Sequence, residues 1–197
     1  VSGLRNSELF DQPIDGYWSD FGDAFLSKYN TDGEKQWTKL LGSSRDEDED
    51  VLTTGIDGSI YIAGSRVGDL DGQINNGGVD AFLSKYNTDG EKQWTKLLGS
   101  SNDDYGSALT TGNDGSIYIA GNTYGDLDGQ TNNGYEDAFI SKFNPDGTQE
   151  WTKLLGTDWS DVAHALTTGS DGSIYIGGMT NGDLEGRGRE STDYDAF

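Results

Sequence analysis

A short motif of alternating carboxylates, Gly-Asp-Leu-Asp-Gly, occurs twice in the chain and a third time in altered form, and an asparagine follows each unaltered copy. Calcium takes roughly six to eight oxygen ligands from carboxylates, amides and backbone carbonyls, often in turns that glycine permits. The motif supplies the beginning of such a set, without the third ligand and the distant glutamate of an EF-hand loop. The sequence therefore predicts calcium as a cofactor, with the candidate ligands Asp69, Asp71, Asn75, Asp126, Asp128, Asn132 and Asp183.

A second interpretation of the motif needs no metal. In that interpretation the aspartates are solvated and accept hydrogen bonds from the backbone of their own turns, as Asp and Asn side chains often do. The altered third copy carries Glu185, followed by Arg187 and Arg189. A guanidinium group there could take the place of a cation, so calcium is least expected at the third copy.

The charge balance limits the partners. The 197 residues include 35 acidic and 13 basic side chains, which give a formal net charge of −22 at pH 7. Such a chain repels nucleic acids and anionic lipids, which leaves cations, cationic proteins and neutral ligands. No apolar run of about 18 residues is present, so no membrane insertion is expected. The absence of cysteine excludes disulfides and thiolate zinc sites.

The motif lies within a repeat of 57 residues. The octet DAFLSKYN stands at Asp23–Asn30 and again at Asp80–Asn87, and DAFISKFN stands at Asp137–Asn144. Residues 23–44 and 80–101 are identical. A repeat of this length indicates a propeller or another repeat architecture. We divide the chain into a divergent N-terminal strand or loop, 1–22, three repeats, 23–79, 80–136 and 137–194, and the start of a further repeat, 195–197.

Each repeat predicts four short antiparallel strands. Asp-Gly turns join the first strand to the second and the third to the fourth, and a polar loop and a long loop make the other connections. Apolar residues fall on both faces of these strands, which disfavours an open sheet with one wet face, and the unit is too long for a β-solenoid rung. In the middle repeat the predicted strands are 81–87, 92–98, 107–111 and 116–120, with loops at 99–105 and 121–136.

The fold class is therefore all-β, a β-propeller with four-stranded blades of about 57 residues each. Ser107–Thr111 would be an innermost strand, and the chain would then hold a half blade, two whole blades and another half blade. Because propellers typically have about four to eight blades, this chain cannot close a ring alone. Further repeats of the same protein, or a second identical chain that brings the total to six blades, would complete it.

The sequence resembles a known family in two stretches, DAFLSKYNTDGEKQWTKLLGSS and SALTTGNDGSIYIAGNTYGDLDG. Both are similar to the bacterial β-propeller repeat known as SBBP, and the resemblance covers residues 23–194. It implies a propeller in a large secreted or cell-surface bacterial protein. It brings no catalytic motif, and the chain departs from the family's larger rings in its number of repeats.

The expected function rests on the acidic residues of the loops. Alternate connections of an antiparallel blade share one end, so the long loops and the polar loops should meet in an acidic face, opposite the Asp-Gly hairpins. We expect a non-enzymatic extracellular scaffold or adhesion module that contacts a surface protein or a glycan through this face. The acidic residues placed there are Asp46, Glu47, Asp48, Glu49, Asp50, Asp103, Asp104, Asp126, Asp128 and Glu136.

Two alternative functions remain open at this stage. A lectin would use Tyr105, Tyr124 and Tyr135, which lie in the acidic-face loops and do not recur in the other repeats. A glycoside-active enzyme would need a pair of carboxylates, but carboxylates are so abundant that no pair stands out. The single histidine, His164, has no evident catalytic partner in the sequence.

Overall fold

The computed structural model describes residues 25–40, 47–184 and 195–196, with the backbone alone described at 47–50 and 195–196. The regular structure in these ranges consists of β-strands, in agreement with the predicted fold class. The strands are β1 (Phe25–Tyr29), β2 (Lys35–Leu40), β3 (Glu47–Thr54), β4 (Ile60–Val67), β5 (Val79–Tyr86), β6 (Lys92–Leu98), β7 (Asp104–Thr111), β8 (Ile117–Thr123), β9 (Asp137–Phe143), β10 (Gln149–Leu155), β11 (Asp161–Thr168), β12 (Ile174–Thr180) and β13 (Asp195–Ala196).

The strands form antiparallel sheets in sequence order. Two sheets have four strands, β3-β4-β5-β6 and β7-β8-β9-β10, while β1-β2 and β11-β12-β13 are smaller. Each four-stranded sheet takes its first two strands from one repeat and its last two from the next. The predicted phasing of half blade, two whole blades and half blade is therefore confirmed.

The strand limits differ from the predicted ones mainly in the first strand of the blade. Residues 92–98 agree, but β7 begins at Asp104, whereas the sequence placed Asp104 and Tyr105 in a loop. The structure pairs these two residues with Thr123 and Asn122, and a bulge follows between Gly106 and Ala108. The polar character of Asp104 was misleading, because its side chain is fully buried and is used inside the sheet.

The Asp-Gly hairpin between the first two strands of a blade depends on glycine and on a capping aspartate. Gly115 has a φ of 83°, in the left-handed region that favours glycine. The amide of Gly112 donates to the carbonyl of Ser116 at 2.8 Å. The Asp114 carboxylate accepts from the backbone amide of Ser116 at 3.0 Å and from its hydroxyl at 2.9 Å. These local bonds fix the turn and therefore the register of the strands on either side.

The sheets pack face against face, and their first strands β3, β7 and β11 are neighbours. Apolar residues on both faces of a strand are explained by this stacking, because each face is covered by another blade. The stacking of separate sheets excludes the two alternative architectures, a continuous open sheet and a β-solenoid. The core between the two whole blades contains Tyr61, Ala63, Ala81, Leu83, Leu98, Ile117, Ile119, Leu127, Phe139 and Phe143.

Two of the tryptophans that recur with the repeat, Trp94 and Trp151, pack within their own blades. The rings of Tyr61 and Trp94 have centroids 6.0 Å apart, and those of Tyr118 and Trp151 are 6.1 Å apart, with the same interplanar angle of 50°. In each pair the tyrosine lies on the second strand and the tryptophan on the fourth. The pair therefore ties the inner half of a blade to its outer half.

Some predictions fall outside the described residues. They concern the N-terminal segment 1–22, Asp46, the altered motif at Glu185 with Arg187 and Arg189, and the repeat start at Phe197. No helix in the described part of the chain has the length and apolar character needed to cross a membrane.

Candidate binding face at the blade loops

The long loops and the connections between blades meet at one end of the sheets, as the topology predicts. Asn102, in the connection from β6 to β7, donates its side-chain amide to the carbonyl of Tyr124 at 2.8 Å. The amide of Asp161 donates to the carbonyl of Glu136 at 2.8 Å. We call this end, formed by residues 68–78, 99–103, 124–136 and 156–160, the loop face.

The Gly-Asp-Leu-Asp-Gly motif forms a compact turn on the loop face. Leu127 and Gln130 exchange backbone hydrogen bonds of 3.0 and 2.9 Å, and the Leu127 side chain is fully buried in the core. Asp126 accepts from the amide of Asn132 at 2.9 Å, while Asp128 adopts a positive φ of 51°. The leucine therefore anchors the turn, and Asp126 stabilises its backbone through the amide of Asn132.

The second aspartate of each motif reaches across to the outer strand. Asp71 accepts from Lys92 and from Thr95, both at 2.6 Å. Burial acts to raise the pKa of Asp71, but these two hydrogen bonds and the positive charges of Lys92 and Arg66 together lower the pKa below its ordinary value. Asp128 makes the equivalent contacts with Gln149 and Thr152.

The asparagines of the motif bind the backbone of their own loops. Asn132 donates to the carbonyl of Thr123 at 2.9 Å, and its side-chain oxygen accepts from the amide of Gly134 at 2.9 Å. The side-chain oxygen of Asn75 accepts from the amide of Gly77 at 3.0 Å. Both amide oxygens, which the calcium hypothesis assigns to a metal, therefore hold a loop in shape here.

The candidate calcium ligands therefore lie in separate turns, with two aspartates in each unaltered motif. Within the described ranges, no three His, Cys, Asp or Glu side chains are placed so that they could hold one metal ion. Asp69, Asp71, Asp126 and Asp128 each accept at least one hydrogen bond from the chain itself. Asp183 lies in the turn that follows β12, and the rest of its motif is outside the described residues. Calcium binding remains a prediction.

Sequence reasoning did not recognise a second set of aspartates, and it wrongly placed one of them, Asp104, on the acidic face. Asp80, Asp104, Asp137 and Asp161 are fully buried. Each accepts a hydrogen bond from the backbone amide four residues earlier, at distances of 2.9, 2.6, 3.0 and 2.7 Å respectively. Each aspartate stands four residues after a polar residue whose amide it binds, and this recurring spacing was the signal by which the sequence could have identified the set. These carboxylates fix the ends of the loops against the sheets.

The buried aspartates lie in tight surroundings. The other oxygen of each carboxylate is buried and has no hydrogen-bond partner within the described residues. Burial raises the pKa of Asp80, Asp104 and Asp137, against the effect of their hydrogen bonds. A β-carbon added at Gly99 would lie 2.3 Å from the carboxyl carbon of Asp80. Glycine is therefore required where the chain passes this carboxylate.

Three tyrosines form one cluster, two of them on the loop face and the third, Tyr105, on the adjoining strand β7. Tyr124 packs edge-on against Tyr105 and Tyr135, with ring centroids 6.3 and 5.5 Å away. Burial and the neighbouring Glu136 carboxylate raise the pKa of Tyr124. Sequence analysis named the three tyrosines together as a candidate lectin site, and the structure brings their rings into contact.

The exposed edge of this cluster includes a residue that sequence analysis missed. The ring of Tyr135 is 70% exposed and that of Trp159 is 53% exposed, and the amide of Tyr135 donates to the carbonyl of Trp159 at 3.3 Å. Behind them, Glu136 is buried and accepts from Asn122 at 2.8 Å. Trp159 could have been noticed as a tryptophan outside the repeated positions. We call Tyr105, Tyr124, Tyr135 and Trp159 the aromatic cluster.

Comparison with known proteins agrees with the architecture. A model of the SBBP beta-propeller repeat matches residues 93–128 and 150–185, and a model described as "Domain of unknown function (DUF5122) beta-propeller" matches residues 112–150. The regulatory protein FlaEY of Caulobacter vibrioides is 33% identical over 147 residues. This match covers 68% of the chain but 15% of the relative's length. The four-stranded blades and the two family-model matches show that the chain is built of β-propeller repeats.

Proposed function

We propose that this chain is a non-catalytic binding segment of an extracellular or cell-surface protein, and that it adheres to its partner through the loop face. The observation that carries the proposal is the aromatic cluster. Tyr135 and Trp159 carry large exposed rings, and the ring of Tyr135 packs edge-on against the half-buried Tyr124. Aromatic side chains in fixed positions provide large contact area at low entropic cost, and they are enriched at binding surfaces.

The charge supports a particular class of partner. A net charge of −22 favours cationic or neutral ligands and disfavours nucleic acid. The resemblance to the SBBP repeat supports an extracellular setting as part of this proposal. The Caulobacter relative is a regulatory protein by name, and a module that docks a partner is compatible with such a role.

A second candidate function, carbohydrate binding, is favoured by one specific feature. The exposed rings of Tyr135 and Trp159 lie on a face with many carboxylate and amide groups, including Asn102 and Asp103. A sugar could stack on such rings and form hydrogen bonds with such groups. Because the tyrosines do not recur in the other repeats, this site would be single.

One experiment tests both functions. The labelled chain is applied to an array of neutral glycans and to a panel of immobilised basic peptides, at low and high salt. Binding to one sugar class indicates a lectin, whereas salt-sensitive binding to basic peptides indicates protein adhesion. Tyr135→Ala should weaken either kind of binding about tenfold or more.

Ile56→Ala provides the matched control. Ile56 is 74% exposed and lies in the Asp-Gly hairpin that joins β3 to β4, at the opposite end of the blade from the loop face. This variant should bind as the wild type does. Absence of binding to both panels, or equal binding by wild type and Tyr135→Ala, would show that the loop face is not the adhesive surface.

A further inference from the structure

Two exposed rings of the aromatic cluster start from neighbouring backbone positions. Glu136 and Ser160 form a parallel β-bridge, and the amide of Asp161 donates to the carbonyl of Glu136 at 2.8 Å. Tyr135 and Trp159 stand one residue before the two bridge residues, and the amide of Tyr135 donates to the carbonyl of Trp159 at 3.3 Å. Because side chains alternate along a strand, both rings start from the side of the bridge opposite to Glu136. We call Tyr135 and Trp159 the aromatic pair.

Glycine permits the close approach of the two segments that carry the pair. A β-carbon added at Gly134 would lie 2.3 Å from the carbonyl oxygen of Trp159 and 2.4 Å from that of Thr157. Thr157 is itself held by Asp161, whose carboxylate accepts from the Thr157 amide at 2.7 Å. The backbone positions of the two rings are therefore set by packing. A fixed backbone lowers the entropic cost of binding a partner through these rings.

The preceding blade junction has the same backbone contact without the rings. A β-carbon added at Gly77 would lie 2.3 Å from the carbonyl oxygen of Asn102. The residues at that junction that correspond to Tyr135 and Trp159 are Gly78 and Asn102. The contact between the two loops therefore forms without aromatic side chains, so the fold does not require the aromatic pair.

The charged residues of the loop face are all acidic. Its four segments contain no lysine or arginine and seven carboxylates, which belong to Asp69, Asp71, Asp103, Asp126, Asp128, Glu136 and Asp158. Asp158 is exposed and directly precedes Trp159. Lys92 of β6 forms an ion pair of 2.6 Å with Asp71, but the corresponding contact of Asp128 is with the uncharged Gln149. The motif in the same loop as Tyr135 is therefore not neutralised by an equivalent lysine.

A buried carboxylate lies behind the rings. Glu136 is buried and accepts from the side-chain amide of Asn122 at 2.8 Å. Burial, and then the hydrogen bond to Glu136, raise the pKa of Tyr124, so the Tyr124 hydroxyl stays protonated and donates to this carboxylate. The ring of Tyr124 packs against that of Tyr135 at 5.5 Å. The cluster therefore combines aromatic faces with fixed negative charge, and both attract an organic cation.

We propose that the aromatic pair binds an arginine side chain of a partner protein, with the guanidinium group stacked on the rings and its N–H groups directed to neighbouring carboxylates such as that of Asp158. This inference rests on the proposed function, because it names the group that the loop face recognises. A guanidinium group is planar and weakly hydrated and carries its donors at its edge, so it can stack and form ion pairs at the same time. A lysine ammonium has no flat face, and a neutral sugar makes no use of the acidic charge.

Peptide selectivity is the first test. Fluorescence anisotropy measures the binding of labelled hexaarginine, hexalysine and hexacitrulline to the 197-residue chain. We expect hexaarginine to bind at least about tenfold more tightly than hexalysine, which has the same charge. Hexacitrulline keeps the planar group without the charge and should bind more weakly than hexaarginine. Equal affinities for hexaarginine and hexalysine would overturn the proposal.

Substitutions of the aromatic pair are the second test. Trp159→Leu should reduce the preference for hexaarginine over hexalysine at least about fivefold, because a leucine has no aromatic face. Trp159→Phe keeps such a face and should retain most of the preference. The Trp159 side chain is 53% exposed, so both variants should fold, and circular dichroism checks this. A preference for hexaarginine that survives both Trp159→Leu and Tyr135→Leu would assign arginine binding to another surface and refute the proposal.

A matched pair of charge variants tests the role of Asp158. Asp158→Asn should weaken hexaarginine binding about threefold or more at low salt, and by less at high salt. Asp89→Asn removes the same charge from an exposed residue of the hairpin that joins β5 to β6, at the opposite end of the blade, and should leave the affinity unchanged. Equal weakening by both substitutions would show that the peptide responds only to the net charge of the chain, and this result would contradict the proposal.

The possible results separate this inference from the proposed function. If Tyr135→Ala weakens the binding of hexaarginine and hexalysine equally, the loop face is adhesive without selecting arginine, and only this inference fails. If neither peptide binds and a neutral glycan does, the arginine proposal also fails, while the carbohydrate-binding candidate stands. If the chain binds neither basic peptides nor glycans, both the inference and the proposed function are wrong.

Discussion

The hydroxyl of Thr168 donates a hydrogen bond of 2.9 Å to the backbone carbonyl of Thr111, which is 57 residues earlier in the chain. Thr111 makes the same bond, of 3.0 Å, to the carbonyl of Thr54. All three residues end the first strand of a blade. One side-chain bond per repeat therefore ties each inner strand to the preceding one.

Replacing Thr111 by valine should lower the free energy of unfolding by about 1 kcal/mol, the usual net value of one such hydrogen bond. Thr168→Val should have a similar effect, and the two losses should add, because the carbonyl of Thr111 remains available in either variant. Urea denaturation followed by circular dichroism measures both. Thr111→Ser keeps the hydroxyl, so its free energy of unfolding should fall by less than that of Thr111→Val. An equal loss of unfolding free energy in the serine and valine variants would show that the hydrogen bond from the Thr111 hydroxyl does not stabilise the fold.

The buried aspartates predict how stability depends on pH. Burial raises the folded-state pKa of Asp80, Asp104 and Asp137 above the ordinary value of 3.8. Their contribution to stability is therefore fully present below the unfolded pKa and is lost as the pH rises through the folded pKa. We expect the melting temperature to rise as the pH falls from 7 towards 5. This rise should be smaller in the double variant Asp80→Asn/Asp137→Asn.

A surface aspartate provides the control of opposite sign. Hydrogen bonds from the backbone and hydroxyl of Ser59 lower the pKa of Asp57, with a smaller opposing effect of burial. Its contribution is present above the unfolded pKa and is lost as the pH falls through the folded pKa. Asp57→Asn should therefore not flatten the melting profile between pH 7 and 5. A profile that the double variant leaves unchanged would show that the buried aspartates do not titrate in this range.

The aromatic cluster predicts a variant that separates binding from stability. Tyr135→Ala removes a ring that is 70% exposed, so the free energy of unfolding should change by no more than about 0.5 kcal/mol. Tyr124→Ala removes the ring packed between two others and should cost more than that. Thermal and urea denaturation measure the difference. A large loss of stability in Tyr135→Ala would assign the exposed ring to packing.

Calcium binding predicts a difference between the two unaltered motifs. We expect calcium to raise the melting temperature relative to chelator. Asp71 faces the ammonium group of Lys92 at 2.6 Å, whereas Asp128 faces the uncharged Gln149. The second motif should therefore bind the ion better, and Asp126→Asn should reduce the calcium effect more than Asp69→Asn does. Identical melting curves with calcium and with chelator would exclude the site.

Much of the fold could be predicted from the sequence because its signals are local and repeated. The Asp-Gly turns, such as Asn113-Asp114-Gly115, depend on the left-handed conformation of one glycine and on a carboxylate that caps the amide two residues later. Apolar side chains on both faces of Ile117–Ala120 indicate a strand covered on both sides. These features determined the strands, their order and the division into half and whole blades.

The tertiary structure decided what the charged and aromatic residues do. Asp104 and Asp126 are both acidic residues beside loops, but one is buried under the sheet edge and the other caps a turn at the surface. Tyr105, Tyr124 and Tyr135 are separated in sequence and meet only because alternate connections share one end of a blade. The sequence shows which charged and aromatic groups are present. The role of each group depends on its burial and its contacts, and these are set by the stacking of the blades.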